Sequence, residues 1–465
     1  MAEALAPLMF LSLVVFLLLG YPVAFSLAAN GLLFAFVGVE SGLFDFALLQ
    51  ALPERVYGIA SNQTLLAIPF FTFMGLVLER SGMAEELLDT LGQLFGQVRG
   101  GLAYAVIFVG ALLAATTGVV AASVIAMGLI SLPIMLRYGY DKRLASGVIA
   151  ASGTLAQIIP PSLVLIVLAD QMGASVGDMY RGALLPGLGL VLMFVLLILA
   201  VSILKPAAVP ALPASARTLS HAQLASRVFT SLLPPLVLIF LVLGTIFLGV
   251  ATPTEGGAMG AAGALLLAMA KSRLKLDTLK QSMDATLKLT SFVIFILIGS
   301  TVFALVFRGM NGDLWVEGLF NHLPGGVIGF LIAVNLLVFL LAFFLDFFEI
   351  AFIIVPLLMP VALKLGIDPI WFGVMLAVNM QTSFMHPPFG FSLFYLKSVA
   401  PPEIRTTDIY WGAIPFLLIQ LTMVAMVIVF PELVGHHAQA VSGGVIDIPM
   451  ESDGYGDYFL PREWR

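Results

Sequence analysis

Apolar residues fall along this chain in blocks of about 20, matched to the hydrocarbon thickness of a bilayer crossed by an α-helix. No block alternates with a period of two, which excludes an outer-membrane barrel. Spans are expected at about 5–20 and 22–38, divided by Gly20-Tyr21-Pro22. An amphipathic stretch at 44–60 suits the membrane interface, a span follows at 62–79, and a second amphipathic piece covers 83–98. The block 101–136 is too long for one span. Its centre, Ala114-Ala115-Thr116-Thr117-Gly118, is small and polar, so it reads as a re-entrant hairpin, the alternative being two short spans. Arg99 precedes it and Arg137, Lys142 and Arg143 follow. Basic residues gather on the cytoplasmic side, so both ends lie there, as a hairpin permits.

The next apolar segment, 145–170, is broken by Gln157-Ile158-Ile159-Pro160-Pro161-Ser162. Proline removes a helix hydrogen bond and clashes with the preceding turn. Backbone groups freed at membrane depth must be buried in protein or line a wet cavity, so the break is a candidate binding site. A span at 182–203 leads to a polar linker, 204–228, expected to be cytoplasmic from Lys205, Arg217 and Arg227. Spans at 229–250 and 254–270, an amphipathic piece at 274–288, a span at 289–307 and a short amphipathic piece at 312–322 follow. A second hairpin block (326–363), a second broken segment (370–397, broken at Met385-His386-Pro387-Pro388-Phe389) and a last span (411–432) complete the pattern before an acidic tail, 435–465.

The two halves correspond. Gly139-Tyr140-Asp141 matches Gly366-Ile367-Asp368, and Pro160-Pro161 matches Pro387-Pro388, at an offset of 227 residues. Tyr180-Arg181-Gly182-Ala183 matches Tyr410-Trp411-Gly412-Ala413 at 230, and Pro22 matches Pro253 at 231. Each half (1–203 and 229–434) holds five crossings and a hairpin, and an odd number inverts the second half. The fold expected is an all-α polytopic membrane protein, an inverted-repeat transporter with two re-entrant hairpins and two Pro-Pro-broken helices.

Composition narrows the class. The 465 residues are 60% hydrophobic and 10% charged, with no cysteine, so thiolate chemistry and disulfides are absent. Mean hydropathy is +1.08. No basic patch suggests nucleic acid, and no Walker sequence suggests an ATPase. The apolar N-terminus lacks a basic n-region and a cleavage pattern, so it reads as a first span.

In the first half the tip (Thr116, Thr117, Gly118) and the break (Ser152, Thr154, Gln157, Pro160, Ser162) are expected to face each other. Hydroxyls and carbonyls without a fixed charge suit sodium better than a divalent ion, and half-helix N-termini suit a carboxylate. In the second half the tip reads Ala342-Phe343-Phe344-Leu345-Asp346-Phe347-Phe348-Glu349, and the break contains Asn379, Gln381, Ser383 and His386. Charged residues at such depth cost roughly 2.5–3.5 kcal/mol each. Asp346 and Glu349, three apart, fall on one helical face, open to substrate, interfacial water or a cation. His386 is open to ligation, to a substrate bond, to titration or to simple packing. The default for Asp170, Arg181 and Arg308 at span ends is snorkelling, and Glu255 is placed to cap its span.

These residues also carry a family resemblance. Gly20-Tyr21-Pro22-Val23-Ala24-Phe25, Ala67-Ile68-Pro69-Phe70-Phe71, Arg99-Gly100-Gly101-Leu102-Ala103, Ile158-Ile159-Pro160-Pro161-Ser162, Ala251-Thr252-Pro253-Thr254-Glu255 and Gly366-Ile367-Asp368-Pro369 resemble the large, DctM-type membrane subunit of tripartite ATP-independent periplasmic (TRAP) transporters, over about residues 9–434. Met385-His386-Pro387-Pro388-Phe389-Gly390 is similar to the mannitol/chloroaromatic-type subgroup. The resemblance implies an elevator mechanism at the bacterial inner membrane, coupling sodium ions, a small four-span DctQ-type subunit, and a periplasmic DctP-type binding protein. It implies a first sodium site at Ala114, Thr117, Ala156, Ile159 and Pro160, with Thr116 and Gly118 beside them, and a second at Ala342, Ser383, His386 and Phe389. Four positions depart from the family pattern: Thr117 and Val119 in Thr117-Gly118-Val119, which stands for Ser-Gly-Ser, Ser123 for Asp, and His386 for the Thr before the second proline pair.

The function expected is sodium-coupled import of a small organic anion, a mono- or dicarboxylate such as a 2-oxo or hydroxy acid. The substrate-proximal candidates are Ser152, Thr154, Gln157, Ser162, Asp346, Asn379 and Gln381. The alternatives are a stand-alone carboxylate carrier of this fold, a channel, for which no filter sequence or charge ring exists, and an intramembrane enzyme, for which His386 with Asp346 is the sole conceivable pair. No organic cofactor is expected.

Overall fold

A computed structural model describes residues 2–216, 219–321, 324–343 and 345–435. The tail from 436 onward, Arg217, Phe344 and the side chain of Thr117 lie outside the described residues. Apart from short 3-10 and π turns, the elements described are α-helices. Among the described residues, seven helices are long and apolar enough to cross a membrane, or eight if the pair Phe46–Ser61 and Thr64–Arg80, bent by 47°, counts as one.

The first hairpin consists of Gly101–Thr117 and Val120–Arg137. Gly118 supplies the reversal at φ +58, a conformation a side chain would strain. Both arms are anchored at one face. The Gly100 N–H donates to the Val209 carbonyl at 3.0 Å, and the Asp141 N–H donates to the neighbouring Ala208 carbonyl at 2.9 Å. Entry and exit on one strip of the linker make this a hairpin and not a pair of crossings. The second hairpin, Gly326–Leu341 and Phe347–Lys364, is likewise gathered at its base by the helix Gly312–Asn321. Phe320 meets Phe330 of the first arm edge-on at 5.1 Å, and Glu317 pairs with Lys364 of the second arm at 2.5 Å.

Side-chain contacts also establish the inversion. One face joins Arg80 to Gln281, Arg227 to Asp89, Arg273 to the Gly82 carbonyl, Lys142 to the Glu403 carbonyl and Arg143 to Asp408. The base of the first hairpin, the start of the first broken helix and the end of the second therefore share this basic face. Asn62, at the bend, reaches Asp170 near the end of the first broken helix on the opposite face.

The broken helices form the innermost layer. Lys142–Thr154 is buried from Ala145 on, and Pro369–Met380 is buried from Ile370 on. Each crosses a long helix of the other half. At Gly147 and Gly412 the crossing is so tight that a β-carbon on Gly147 would lie 2.0 Å from the Gly412 carbonyl oxygen. The small-residue contact brings two backbones together where lipid provides no hydrophobic drive. The other pair is the helix Pro369–Met380 with Val176–Leu204, where Gly373 receives Met179.

Three segments differ from expectation. The amphipathic piece at 274–288 and the span at 289–307 are one continuous helix of 34 residues, Leu276–Gly309. The span expected from 182 begins at Val176, where Ser175 accepts from the Asp178 N–H. The span expected at 229–250 starts earlier and stops sooner, as the helix Ala222–Phe247 with a π-turn at Val228–Leu232. Glu255 caps its helix as expected, in a reciprocal box with Thr252.

Candidate functional site

Asp141 starts the first broken helix by accepting from the N–H groups of Arg143 and Leu144. The helix runs to Thr154 and tightens into a 3-10 turn, Leu155–Gln157. The N–H groups of Ile158 and Ile159 both donate to the Leu155 carbonyl. The chain then passes through Pro160-Pro161, joined by a cis peptide bond, and restarts at Leu163–Met172. The break is sealed from lipid. Ser152, Thr154, Gln157 and Ser162 are each no more than 1% exposed.

The hairpin tip closes on this break. A β-carbon on Gly118 would touch Leu163 Cγ at 3.2 Å and approach the Pro161 carbonyl oxygen at 3.7 Å. Both arms pack alongside: Gly110 lies against Ser152, and Val124 lies against Gly153. The tip carbonyls are in part committed, Ala114 to the Gly118 N–H and Leu113 to the Thr116 hydroxyl. The Ser162 hydroxyl donates to the Gln157 carbonyl at 2.5 Å. Ser152 Oγ and both side-chain amide atoms of Gln157 have no protein partner.

The second break repeats the arrangement. Asp368 accepts from the Trp371 N–H, the helix runs to Met380, a 3-10 turn spans Gln381–Phe384, and Phe391–Val399 resumes after Pro387-Pro388. Asn379 is held by the hairpin, its amide donating to the Asn335 backbone and side-chain oxygens, each at 2.9 Å. Thr382 and Ser383 return their hydroxyls to the Asn379 and Met380 carbonyls. Both Gln381 amide atoms are buried and unpartnered, as are both ring nitrogens of His386. The imidazole lies against Phe343 at 4.4 Å, nearly parallel, and edge-on to Phe339 at 4.1 Å. Gly390 permits this turn, since a β-carbon there would sit 2.5 Å from the Phe384 carbonyl oxygen.

Asp346 and Glu349 do not share a helical face. Asp346 precedes the helix and accepts from the Phe347 N–H at 2.5 Å, and Glu349 accepts from the Asp346 N–H at 3.0 Å. This reciprocal box starts the second arm of the hairpin inside the protein. Among the described residues no group of three His, Cys, Asp or Glu side chains is placed to hold a metal ion, so His386 does not join these two acids in one cluster.

Two of the span-end charges have partners. Asp170 accepts from Asn62 at 2.6 Å, and Arg181 pairs with Asp178 and reaches the Phe247 carbonyl. At the basic face a cavity of about 690 Å³ lies between the base of the first hairpin (Leu102, Met135, Arg137), the helix Met83–Phe95 and the linker (Leu212, Ala216).

The family model for the tripartite ATP-independent periplasmic transporter, DctM component, matches residues 10–433. The chain belongs to this family. It is 33% identical to the C4-dicarboxylate TRAP transporter large permease protein DctM of Pseudomonas aeruginosa, over 84% of this chain and 90% of that protein. It is 29% identical to the sialic acid TRAP transporter large permease protein SiaM of Vibrio cholerae, over 89% and 93%. Among solved structures, the YdaH transporter of Alcanivorax borkumensis shares the fold, with a TM-score of 0.60 at 15% identity, over 84% of this chain and 90% of that one. The protein is therefore a TRAP large permease subunit, a multi-pass protein of the bacterial inner membrane and not an enzyme.

In this DctM-family subunit the first tip and the first break meet as expected, while Asp346 and Glu349 are engaged in capping. Two residues were not singled out from the sequence. Asn335 holds Asn379, and Gln420, in the last span, donates to Thr154 at 2.9 Å. Each is a lone amide in an apolar span, which is itself a signal, because such a group requires a partner.

Proposed function

We propose that this subunit imports a small organic anion, a mono- or dicarboxylate of the 2-oxo or hydroxy acid type, driven by sodium. The supporting observation is the character of the two breaks. Ser152, Gln157, Gln381 and His386 present buried, neutral, partnerless polar atoms, and no Lys or Arg lies between 144 and 180 or between 365 and 396. A carboxylate entering such a site finds hydrogen-bond donors and half-helix ends but no fixed cation. A co-bound sodium ion supplies the missing charge, and this mutual need couples the two. The carbonyls of Ala114, Ala156, Ile159 and Pro160 near the first tip, with Thr116, Thr117 and Gly118, form the first ion site. Ala342, Ser383, His386 and Phe389 form the second. The relatives named for C4-dicarboxylates and for sialic acid both handle carboxylates, in keeping with this cargo.

The hairpins and broken helices move as one block, as an elevator. The basic-face cavity lies beside that block, and Asn62 and Arg181 make contacts at the opposite face, an arrangement in keeping with such a displacement. A small DctQ-type membrane subunit and a periplasmic DctP-type binding protein complete the transporter. Uptake of labelled dicarboxylates and 2-oxo acids into proteoliposomes bearing the two membrane subunits tests the reading. Uptake is expected only when the binding protein is added on the outside. Uptake at an equal rate without it would leave the stand-alone carrier as the better account.

A further inference from the structure

The last helix, Thr406–Val429, carries a fully buried amide, Gln420. Its nitrogen lies 2.9 Å from Thr154 Oγ1, and that hydroxyl lies 2.8 Å from the Ala151 carbonyl oxygen. A hydroxyl has one hydrogen, and the carbonyl can only accept. Thr154 therefore gives its hydrogen to Ala151 and accepts from Gln420. This fixes the amide orientation: Nε2 faces Thr154 and Oε1 faces away, buried and unpartnered.

Thr154 is the last residue before the turn at Leu155–Gln157. A side chain from the other half of the chain thus grips the first break where its α-helix ends. The same helix also packs on the second break, at Gln381–Phe384. In the repeat, Thr154 corresponds to Gln381 and Gln420 to Leu190. Leu190 cannot bond, and the Gln381 amide has no partner. The grip exists at one break and not at its mate.

We propose that Gln420 is a positioning residue that holds the first break, through Thr154, in the geometry that binds sodium, making the first ion site the pre-formed one of the two. This rests on the sodium-coupled reading above. In the proteoliposome assay with both membrane subunits and the binding protein, Gln420→Leu places at 420 the residue found at 190. The sodium concentration for half-maximal uptake is expected to rise about tenfold, as for the loss of one buried hydrogen bond. The anion concentration for half-maximal uptake at saturating sodium is expected to stay within about twofold. Gln420→Glu keeps the shape, but its carboxylate cannot donate to Thr154. It is expected to match the Leu variant at alkaline pH and to regain sodium affinity on acidification, when the carboxyl gains a hydrogen. Should the Leu variant fail to fold, Gln420→Met removes the same donor with a smaller change of shape and carries the same expectation. Unshifted sodium dependence in these variants, or equal shifts for sodium and anion, overturns the proposal while leaving sodium coupling intact. Sodium-independent uptake by the native protein overturns both.

Discussion

Asn62 donates its side-chain amide to Asp170 across 2.6 Å, joining the bend between Phe46–Ser61 and Thr64–Arg80 to the outer end of the first broken helix. The two residues are 108 apart in sequence, and the contact is supported by Asp170 also accepting from Gln171. Under the proposed elevator motion this bond must be released. A double-mutant cycle of Asn62→Ala and Asp170→Ala on thermal unfolding in detergent is expected to give a coupling of about 0.5–1.5 kcal/mol, in the range of a single hydrogen bond. Strict additivity would remove it as a latch.

At the basic face, Glu86 ties the helix Met83–Phe95 to two others. It accepts from Ser231 and lies 3.1 Å from Lys271 and 3.0 Å from Arg273. Burial pushes its carboxyl up, but the Ser231 hydroxyl, the Lys271 ammonium and the Arg273 guanidinium outweigh that and hold it below the usual carboxylate range. A carboxyl depressed in the folded state stabilises fully above its unfolded value, about 4.5, and loses that contribution as pH falls through the lower folded value. Glu86→Gln is therefore expected to melt lower than the native protein at neutral pH, with the gap closing below about pH 4. A gap independent of pH would assign Glu86 a packing role only.

The crossing at Gly147 and Gly412 leaves no room for a methyl group. Gly147→Ala puts a β-carbon 2.0 Å from a backbone oxygen that no side-chain rotation can move. A loss of at least about 3 kcal/mol is expected, the upper end for overpacking, read as lost yield of monodisperse protein. Gly173→Ala has open space, and its cost comes from the positive φ alone, about 1–2 kcal/mol.

His386 sits at the second break, its ring against Phe339 and Phe343. Both ring nitrogens are buried without a protein partner, so the neutral imidazole is open to an entering ion or proton. His386→Thr is expected to flatten the dependence of uptake on pH and to change the number of sodium ions moved per anion. An unchanged pH profile and stoichiometry would return His386 to a packing role.

Much of this was legible in the sequence, for physical reasons. Apolar blocks sized to a bilayer, proline pairs that cannot continue a helix and basic residues bracketing one hairpin specify spans, breaks and inversion with little tertiary information. What escaped was set by contacts. The amphipathic piece at 274–288 and the span after it share one helical period, and nothing local marks whether the helix bends between them; it does not. Asp346 and Glu349 were read at helical spacing, although Asp-x-x-Glu ahead of an apolar run is also a capping pattern, and that is the role they take. Gln420, a lone amide in an apolar span, signals that it needs a partner, but only the fold shows that the partner is Thr154.

Sodium coupling at the two breaks is the central claim. Its most direct measurement is the initial rate of anion uptake into proteoliposomes, with the binding protein outside and the membrane voltage clamped, under an inward sodium gradient or an equal inward potassium gradient. The sodium gradient is expected to drive uptake about tenfold faster, a coupling of ordinary size between two ligands. Equal rates under the two gradients would contradict it.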